Sequence, residues 1–505
     1  MDKYYITTAI AYTSGKPHIG NVYDAVVADA IARFKKIQGY DVYFQTGTDE
    51  HGIKIQEKAE AASISPKEYV DNISSVVKDI YDMLNINYDN FIRTTDKDHE
   101  KCVQKIFKKM YDKGDIYKGE YNGLYCTPCE SFWTESQLVD GKCPDCGREV
   151  HPQSEECYFF KLSNYQDKLE DLFKNHSEFL IPESRVNEMY NNFIAPGVQD
   201  LCVSRTTFNW GIPVDFDPKH VIYVWLDALT NYITKIGYDP DGSSEQFNKL
   251  WPADVHVIGK DIVRFHSIYW PCFLWSLGLE LPKKVFGHPW VLSGNDKMSK
   301  SKGNVIYPDD LINEFGLDAV RYYLLHEVSQ TNDGSITREQ LTEKYNSDLA
   351  NTLGNLVQRT ISMGNKYFNG KIINKNVSDA VDIEFINNIN SLYEKVSTKM
   401  DKFLVADAFN EIFNVLRLSN KYIDDTTPWV LAKDESKLDR LETVLYNLLE
   451  SIRVCGLLLY PFIPNASDRI IDQLSNNKKE LVVLKDNSYS LSTPEILFKR
   501  IEEEK

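Results

Sequence analysis

Two lysines in the segment Lys297-Met298-Ser299-Lys300-Ser301 place mobile positive charges on a short loop between Gly294 and Gly303. Ammonium groups can follow phosphate oxygens as negative charge moves during a displacement reaction, and the small flanking residues let the backbone approach a nucleotide. Loops rich in lysine and serine are also common on solvated surfaces. This segment alone therefore permits polyphosphate binding without requiring it.

A second segment, near the N-terminus, predicts a phosphate site of another kind. Tyr4 to Tyr12 is predicted to form a buried strand, which is followed by a turn over residues 13–17. His18-Ile19-Gly20-Asn21 then opens a helix that continues through Arg33. The N-terminus of a helix offers N–H groups and the positive end of the helix dipole to an anion, and Gly20 permits close approach. A histidine at a helix start is otherwise most often a cap or a core residue.

Four cysteines form a pair of CxxC turns, Cys126-Thr127-Pro128-Cys129 and Cys143-Pro144-Asp145-Cys146, separated by 13 residues. This is the spacing of a structural Zn²⁺ site with four thiolate ligands, which leaves the metal no open position for catalysis. Two redox pairs or unpaired cysteines are the alternative. The other five of the nine cysteines are scattered singly, a distribution typical of a reducing compartment.

Strands and helices alternate in the first part of the chain, which predicts an α/β domain with a parallel sheet. A strand at Asp41 to Thr46 and a helix at Pro66 to Leu84 belong to this pattern. The pattern stops at the cysteine turns and resumes with short strands at Val221 to Val224 and Asp254 to Ile258. We therefore expect a nucleotide-binding domain in two halves, 1–118 and 218–349, split by an insertion at 119–217. Helical periodicity from residue 350 onward predicts a helical bundle over 350–505.

The net charge of −17 argues against indiscriminate binding to DNA, RNA or an anionic membrane. The excess acid lies almost wholly before residue 350, so a local basic face of the bundle could still contact RNA. No apolar run approaches the ~20 residues needed to span a bilayer, and no signal segment is recognisable. We expect a cytoplasmic protein that has no membrane and no DNA partner.

The two phosphate segments, taken together, resemble the HIGH and KMSKS signatures of class I aminoacyl-tRNA synthetases, with Asn21 where the family usually has a second histidine. Three further stretches are similar to those of methionyl-tRNA synthetases: Thr46 to Gly52, Tyr223 to Ala228 and Gly259 to His266. The resemblance implies a Rossmann-type catalytic domain, a zinc-binding connective insertion and an α-helical anticodon-binding domain. It covers the chain from the first strand to at least Trp429.

The resemblance also implies roles for individual residues in the activation of methionine by ATP. His18, Lys297 and Lys300 would be catalytic, because they would contact the phosphates. The ATP site would comprise Lys16, His18, Gly20, Asn21, Gly259, Lys260, Asp261, Lys297 and Lys300. Asp261 could accept the ribose hydroxyls, although a cap on the next helix is its plain alternative. Mg²⁺ would accompany ATP, and Arg205 is a further candidate for an ATP or catalytic-loop contact.

A thioether side chain needs an apolar, aromatic pocket, because sulfur is polarisable and packs well against ring edges. The resemblance places Asp49 on the α-ammonium group of methionine and implies a pocket that converges from three strand ends. Its members would be Ala9, Ile10, Tyr12, Trp225, Ala228, Leu229, Tyr232, Phe265, His266 and Trp270. Such aromatic residues, taken singly, are more often core residues than ligand contacts.

Asn355 and Arg359 are four residues apart on a predicted helix and share one face of it. An amide, a guanidinium and the indole of Trp429 can together hydrogen-bond and stack an unpaired base. The resemblance implies that these residues read the cytosine of the CAU anticodon of methionine tRNA, including the initiator. Without it, Trp429 would be taken for a core tryptophan.

The leading hypothesis is a methionine–tRNA ligase that uses ATP and L-methionine. A sister ligase fits less well: a cysteine enzyme would carry a catalytic zinc site, and a valine or isoleucine enzyme a larger editing insertion. A non-catalytic RNA-binding protein with the same fold is the rival from another functional class. No further RNA-binding domain is recognisable after the bundle, so we expect a monomer.

Overall fold

The computed structural model describes residues 1–129, 131–133, 135–298 and 303–502. The chain forms two compact units, Met1–Pro289 and Trp290–Lys505, called the first and the second unit below. The boundary between them falls inside the predicted segment 218–349. The predicted domain boundaries at residues 118, 217 and 349 stay predictions.

The first unit begins with the predicted alternation of strands and helices. The elements are β1 (Lys3–Thr8), β2 (Ala11–Tyr12), α1 (Tyr23–Ile37), β3 (Asp41–Asp49), α2 (Ile53–Ala61), α3 (Pro66–Met83), β4 (Asn90–Arg93) and α4 (Lys97–Lys113). The single strand predicted over Tyr4 to Tyr12 is wrong in one respect, because Ala9 and Ile10 separate β1 from β2. The helix predicted from His18 starts as a short 3₁₀ turn over Ile19–Asn21.

The cysteine-rich middle of the first unit is mainly antiparallel. Its elements are β5 (Ile116–Cys126), β6 (Ser131–Trp133), β7 (His151–Phe160), α5 (Gln166–Asn175), β8 (Leu180–Ile181), α6 (Glu183–Met189), β9 (Leu201–Cys202), β10 (Ser204–Arg205), β11 (Pro213–Val214) and β12 (Asp217–Ile222). One sheet has the order β6-β5-β7-β9 and a second has the order β10-β12-β11. The sequence predicts an insertion with cysteine turns here but neither of its two helices, α5 and α6.

The remaining elements of the first unit return to the parallel sheet. They are α7 (Val224–Thr234), α8 (Glu245–Leu250), β13 (Val255–Gly259), α9 (Trp270–Leu277) and β14 (Val285–His288). The strand predicted at Val221 to Val224 is wrong at its end, because β12 stops at Ile222 and Val224 begins α7. The strand predicted at Asp254 to Ile258 is confirmed as β13.

Every strand pair of the main sheet is parallel, in the order β2-β3-β1-β13-β14-β8 with β4 beside β3. The strands are buried because helices and the insertion cover the sheet, as parallel sheets require. Gly47 in β3 is needed for this packing, since a Cβ at this position would overlap the backbone of Ile92 in β4. The predicted α/β class with a parallel sheet is confirmed.

The second unit is mostly helical. Its elements are β15 (Val291–Ser293), α10 (Pro308–Phe315), α11 (Leu317–Tyr322), β16 (Gly334–Ile336), α12 (Arg338–Lys344), α13 (Asn355–Phe368), β17 (Lys371–Ile373), α14 (Ala380–Asn390), α15 (Leu392–Met400), α16 (Val405–Thr426), α17 (Pro428–Leu431), α18 (Leu438–Leu459), α19 (Pro464–Leu474) and β18 (Ser488–Ser490). The apolar face of α16 is buried, with Phe409, Ile412 and Phe413 all inaccessible to solvent. The predicted helical bundle is confirmed.

All nine cysteines lie in the described part of the chain, and all are free thiols. Among the described residues, no helix has the length and apolarity that crossing a membrane would require.

Candidate active site and metal centre

Three neighbouring strands of the main sheet end at one edge, and each is followed by residues predicted to bind substrate. β1 lies between β3 and β13, with Thr7 beside Gln45 on one side and His256 on the other. Ala9 therefore follows β1 next to the end of β3 at Asp49 and the end of β13 at Gly259. The carboxyl edge of an open parallel sheet is where ligands bind in such folds.

His18 caps the 3₁₀ turn that precedes α1. Its ring Nδ1 accepts a hydrogen bond from the Gly20 N–H at 3.2 Å, while the side-chain oxygen of Asn21 accepts from the His18 N–H at 3.1 Å. Because Nδ1 is the acceptor, the proton of a neutral ring sits on Nε2. Asn21 closes the turn from its own side and holds the backbone of His18 in place.

Gly259 and Asp261 are fixed against each other at the end of β13. A Cβ at Gly259 would lie 2.7 Å from Oδ1 of Asp261, so a larger residue would displace this carboxylate. Asp24, in the first turn of α1, is close enough to Asp261 for the two carboxylates to repel each other. Burial raises the pKa of the Asp24 carboxyl to about 7, a hydrogen bond from the Ala25 N–H opposes the rise, and the charge of Asp261 adds to it. Two interacting carboxylates thus lie near the end of β13.

Asp49 ends β3 in a tightly supported position. Tyr12 of β2 is its neighbour in the sheet, and both the N–H and the hydroxyl of Thr13 donate to the Asp49 carbonyl at 3.0 Å. The next residue, Glu50, is fully buried and accepts two hydrogen bonds from Arg93, at 2.7 and 2.9 Å. The backbone on both sides of Asp49 is therefore held by charge-assisted or buried hydrogen bonds.

A buried carboxylate, Asp227 of α7, ties this segment to the rest of the site. His51 Nδ1 donates to Oδ2 of Asp227 and His99 Nε2 donates to Oδ1, each at 2.7 Å. Burial pushes the pKa of the Asp227 carboxyl upward, but the attraction of His51 and the hydrogen bonds from both imidazoles outweigh it, so this pKa is lowered. The ionised Asp227 links the segment after β3 to α7 and α4.

One face of α7 carries four of the residues predicted for methionine: Trp225, Ala228, Leu229 and Tyr232. Their spacing of three, four and seven residues puts them on the same side of the helix. The expectation that they converge from strand ends is wrong. They lie on a helix, which is anchored to the sheet where the Tyr5 hydroxyl donates to the Tyr232 carbonyl at 2.8 Å.

The rings of this face pack directly against the segment after β13. Trp225 stacks on Phe265 with centroids 3.7 Å apart and planes 6° from parallel. The ring centroid of Tyr232 lies 5.7 Å from that of His266 and 6.0 Å from that of Trp270. Phe265 and His266 belong to a π-helical turn, Phe265–Tyr269, a local widening that recurs at functional sites. Five predicted pocket residues are thus in one aromatic cluster.

The hydrogen bonds of His266 determine its protonation. Nδ1 lies 2.9 Å from the Ile262 carbonyl, which can only accept, so Nδ1 carries a proton. Burial lowers the pKa of His266 to about 4, despite the bond to Ile262, which favours the charged form. The ring is therefore neutral, and Nε2 accepts from the Tyr232 hydroxyl at 2.8 Å. A neutral, oriented imidazole suits an uncharged side chain as ligand.

His256, beneath this cluster, is oriented in the same way. The Trp270 indole N–H donates to His256 Nε2 at 3.2 Å, and burial moves the pKa of His256 well below its ordinary value. The proton of the neutral ring is therefore on Nδ1, which donates to the Thr7 hydroxyl at 2.6 Å. Tyr232 stacks on this imidazole at 4.1 Å. These contacts fix the rotamers of Tyr232 and Trp270.

The predicted pocket residues of the first unit also include Ala9, Ile10 and Tyr12. Ala9 packs against the same core cluster as Trp225, and its N–H donates to the Val257 carbonyl at 3.0 Å. Ile10 and Tyr12 are half-buried at the sheet edge, and the Lys54 ammonium lies 5.4 Å from the Tyr12 ring centroid. They border the edge at which Asp49 ends β3.

The four knuckle cysteines come together as predicted. Their ligand atoms all lie within 4.8 Å of one another, with Sγ atoms 3.6 Å apart for Cys126 and Cys146 and 4.0 Å apart for Cys129 and Cys143. Zinc–sulfur bonds of about 2.3 Å at tetrahedral angles hold sulfurs about 3.8 Å apart, whereas a disulfide needs about 2.05 Å. The donor set therefore fits one tetrahedral Zn²⁺ and does not fit redox pairs.

Arg205, a candidate for an ATP or catalytic-loop contact, stays a prediction in that role. It is buried in the insertion, where it donates to the Ser204 carbonyl at 2.8 Å and to Cys202 Sγ at 3.1 Å. Its guanidinium lies 4.6 Å from the centroid of the Tyr223 ring. These contacts make Arg205 part of the packing between the insertion and the start of α7.

The loop that carries the predicted lysines belongs to the second unit. The Lys297 ammonium lies 3.8 Å from the centroid of the Trp290 ring, and Met298 is buried. Gly294 and Gly303 both have left-handed backbone, with φ of +60° and +67°, which favours glycine on each side of the loop. Lys300 lies outside the described residues.

The three predicted anticodon residues also lie in the second unit. Asn355 is exposed at the start of α13, and Arg359 is half-buried one turn later. Trp429 is 41% exposed on α17, after a left-handed Thr427 with φ of +42°. Such exposure is inconsistent with the alternative that Trp429 is a core tryptophan.

The chain is similar to known proteins over most of its length. The family profile described as tRNA synthetases class I (M) matches residues 4–157 and 146–361, and that described as anticodon binding domain of methionyl tRNA ligase matches residues 375–505. A methionine–tRNA ligase of Clostridium acetobutylicum is 58% identical over 473 residues, which are 94% of this chain and 73% of that protein. The chain belongs to the methionine–tRNA ligase family.

Two more members of the methionine–tRNA ligase family extend the match. That of Caldanaerobacter subterraneus subsp. tengcongensis is 55% identical over 509 residues, covering 99% of this chain and 79% of that protein. The solved Mycobacterium tuberculosis methionyl-tRNA synthetase in complex with methionyl-adenylate is 41% identical, with a TM-score of 0.95 over 99% of this chain and 100% of that one. The family resemblance inferred from the motifs is confirmed.

Several polar residues of this family member escape prediction from the sequence: His51, His99, Asp227, His256 and Arg264. His51, Asp227 and Arg264 lie inside segments that carry the family resemblance, and that position could have marked them as site residues. His99 and His256 gave none, because their partners are 128 and 249 residues away along the chain. Each is buried and acts through a partner that only the fold brings close.

Proposed function

We propose that this chain activates L-methionine with ATP and transfers the methionyl group to the 3′ end of methionine tRNA, including the initiator. A carboxylate oxygen of methionine attacks the α-phosphorus and pyrophosphate leaves; the terminal hydroxyl of tRNA then attacks the carbonyl and AMP leaves. The observation that carries the proposal is the neutral aromatic cluster around Tyr232 and His266 at the carboxyl edge of the nucleotide-binding sheet. Family membership supports it.

The phosphates of ATP are bound by His18, Lys297 and Lys300. The Nδ1 atom of His18 is occupied by the Gly20 N–H, so Nε2 is the nitrogen that donates to a phosphate oxygen. Lys297 and Lys300 supply mobile positive charge as pyrophosphate departs. Mg²⁺ enters as part of the ATP substrate.

The rest of the nucleotide is bound along the ends of β1 and β13. Gly20 and Gly259 allow the backbone to approach ATP, and Asp261 accepts the ribose hydroxyls. Asn21 acts through the turn that it closes, since its side-chain oxygen holds the His18 N–H. Lys16 and Lys260 flank the phosphates and the nucleoside.

Methionine is selected by charge at one end and by shape at the other. Asp49 binds the α-ammonium group, and its position is fixed by the two hydrogen bonds that Thr13 donates to its carbonyl. The thioether packs among the rings of Trp225, Tyr232, Phe265, His266 and Trp270, together with Ala9, Ile10, Tyr12, Ala228 and Leu229. The neutral His266 and the hydroxyl of Tyr232 offer no charge to attract a polar side chain.

The tRNA is recognised through its anticodon by Asn355, Arg359 and Trp429. The exposed indole stacks on an unpaired base, while the amide and guanidinium read the edge of the cytosine that opens the CAU anticodon. Zn²⁺, held by Cys126, Cys129, Cys143 and Cys146, supplies a structural cross-link. We further propose a cytoplasmic, monomeric protein.

The test is amino-acid-dependent exchange of labelled pyrophosphate into ATP, with methionine, cysteine, leucine, isoleucine and valine supplied separately. We expect exchange with methionine alone, and its near-complete loss in Lys300→Ala. A matched control is Lys302→Ala, two residues away in the same loop. Exchange with another amino acid would overturn the pocket assignment. No exchange with any of them would favour a non-catalytic RNA-binding protein.

A further inference from the structure

Arg264 joins the metal knuckle to the aromatic cluster. It stands directly before Phe265 and His266, and it is only 6% exposed although it carries a charge. A buried arginine needs a counter-charge or ring faces to offset its desolvation. Arg264 has both, and they come from different parts of the first unit.

On the knuckle side, the guanidinium donates to Oδ2 of Asp145 at 3.0 Å. Asp145 stands between the ligand cysteines Cys143 and Cys146. The guanidinium also lies 4.3 Å from the centroid of Trp133, which shares a buried core with Cys126 and Cys143. Arg264 therefore packs against Trp133 beside the metal site and donates a hydrogen bond to the second CxxC turn.

On the pocket side, the same guanidinium lies 4.8 Å from the centroid of Phe265 and 5.6 Å from that of Tyr269. Both rings belong to the π-helical turn that carries His266. Phe265 in turn stacks face to face on Trp225 at 3.7 Å. An unbroken series of contacts thus runs from the knuckle through Arg264 to Phe265 and Trp225, two residues of the predicted methionine pocket.

The charges favour the same link. Four thiolates outweigh the charge of one Zn²⁺, so the occupied knuckle and Asp145 together are anionic. Arg264 provides a buried positive charge against that surface, in the manner of the outer-shell partners that orient metal ligands. Its position therefore depends on the knuckle, and the position of Phe265 depends on Arg264.

We propose that Arg264 is a positioning residue that couples the metal knuckle to the methionine pocket: an occupied knuckle holds Asp145 and Trp133, these hold Arg264, and Arg264 sets the Phe265 ring against Trp225. The inference rests on the proposed function for its pocket half. Its metal half concerns only the knuckle and can be tested without catalysis.

The experiment compares Arg264→Met, which keeps the apolar stem and removes the charge, with Arg264→Lys and Asp145→Asn. Arg185→Met is the control, because Arg185 pairs with Glu188 within α6. Zinc release to a chelating dye and the KM values for methionine and ATP in pyrophosphate exchange are measured on each full-length protein. Loss of an outer-shell partner typically costs about 10- to 100-fold in metal affinity or activity.

We expect Arg264→Met to release zinc at least about tenfold faster and to raise the methionine KM about tenfold, with the ATP KM changed less than about twofold. Arg264→Lys should recover part of both effects. Asp145→Asn should share the faster zinc release, and the control should match the wild type. Prior removal of zinc should raise the methionine KM of the wild type but add little in Arg264→Met.

Faster zinc release with an unchanged methionine KM would overturn the coupling, and so would equal rises of the methionine and ATP KM values. If Arg264→Met does not fold, Asp145→Asn decides in the same way. A wild type that exchanges no pyrophosphate with methionine overturns the proposed function instead. In that case equal zinc release from the wild type and Asp145→Asn would overturn the metal half as well.

Discussion

The aromatic cluster of the first unit and the anticodon residues of the second unit are both built from rings and polar groups, but they are held very differently. Tyr232, His266 and Trp270 are buried, and each has a defined hydrogen-bond partner. Trp429 exposes 41% of its surface on a four-residue helix, and Asn355 is exposed at a helix start. One site is ordered by the protein itself, and the other presents its groups to solvent.

This difference matches the two ligands proposed. A small thioether gives little binding energy, so its pocket must be rigid before the ligand arrives. An unpaired base brings its own stacking surface and can order an exposed indole as it binds. Substitutions in the cluster should therefore change methionine activation and stability, whereas substitutions at the anticodon residues should change only the use of tRNA.

The largest expected effect comes from Asp49→Asn. Removing one partner of a buried, hydrogen-bonded charge pair costs about 2–5 kcal/mol, so kcat/KM for methionine should fall by roughly 30- to 5,000-fold. Asp41→Asn is the control, because Asp41 begins the same strand and pairs with Lys249 on the surface. An equal loss in both variants, measured by pyrophosphate exchange, would mean that Asp49 acts through the strand and not on the ligand.

Acid should weaken the cluster through His266. Its pKa is lowered by burial from 6.5 to about 4, so below pH 6.5 the unfolded chain takes up a proton that the folded chain does not. Stability is therefore lost as the pH falls from about 6.5 to about 4, by about 3 kcal/mol in total. In His266→Gln, denaturant unfolding should show a pH dependence shallower by that amount. Parallel curves for the two proteins would contradict a neutral His266.

Trp429→Ala should affect charging alone. Base stacking on an aromatic side chain contributes about 1–3 kcal/mol, so kcat/KM for tRNA should fall roughly 5- to 150-fold. Pyrophosphate exchange and the melting temperature should stay at wild-type values, since the indole is exposed. Val430→Ala is the control, because Val430 is the next residue and is 50% exposed. A loss of stability in Trp429→Ala would place the indole in the core after all.

Tyr232→Phe tests the cluster with the smallest change. It removes the hydroxyl that donates to His266 and keeps the ring, which should cost about 1 kcal/mol, or roughly fivefold in methionine KM. Tyr117→Phe also removes a hydroxyl, one that donates to Asp200 in the insertion, and should leave this KM unchanged. An unchanged KM in Tyr232→Phe would show that the orientation of His266 does not matter for methionine.

The fold could be predicted from the sequence where the signal is local. β1, β3 and β13 are buried on both faces and are rich in β-branched and aromatic residues, and the CxxC turns fix their own ligand geometry. Gly294 and Gly303 likewise mark the ends of a loop by their backbone conformation. The class, the parallel sheet, the bundle and the four-cysteine cluster all follow from such signals.

The position of the pocket could not be predicted from the sequence, because it depends on tertiary contacts. The run from Val221 to Leu226 is apolar throughout, and short apolar runs do not distinguish a strand from a helix. Burial keeps His266 and His256 neutral, and the hydrogen bonds that orient their rings involve Tyr232, Thr7 and Trp270, which no local pattern connects to them. The candidate residues could thus be identified from the sequence, whereas the helices and turns that hold them could not be predicted.

The most direct test of the account uses Tyr232→Phe, Trp429→Ala and the double variant in two assays, methionine-dependent pyrophosphate exchange and charging of tRNA with a CAU anticodon. We expect Tyr232→Phe to impair both reactions through methionine KM and Trp429→Ala to impair charging alone. The free-energy losses in charging should add within about 0.5 kcal/mol. A loss of pyrophosphate exchange in Trp429→Ala, or strongly non-additive losses, would contradict the separation of a preformed methionine pocket from an exposed anticodon site.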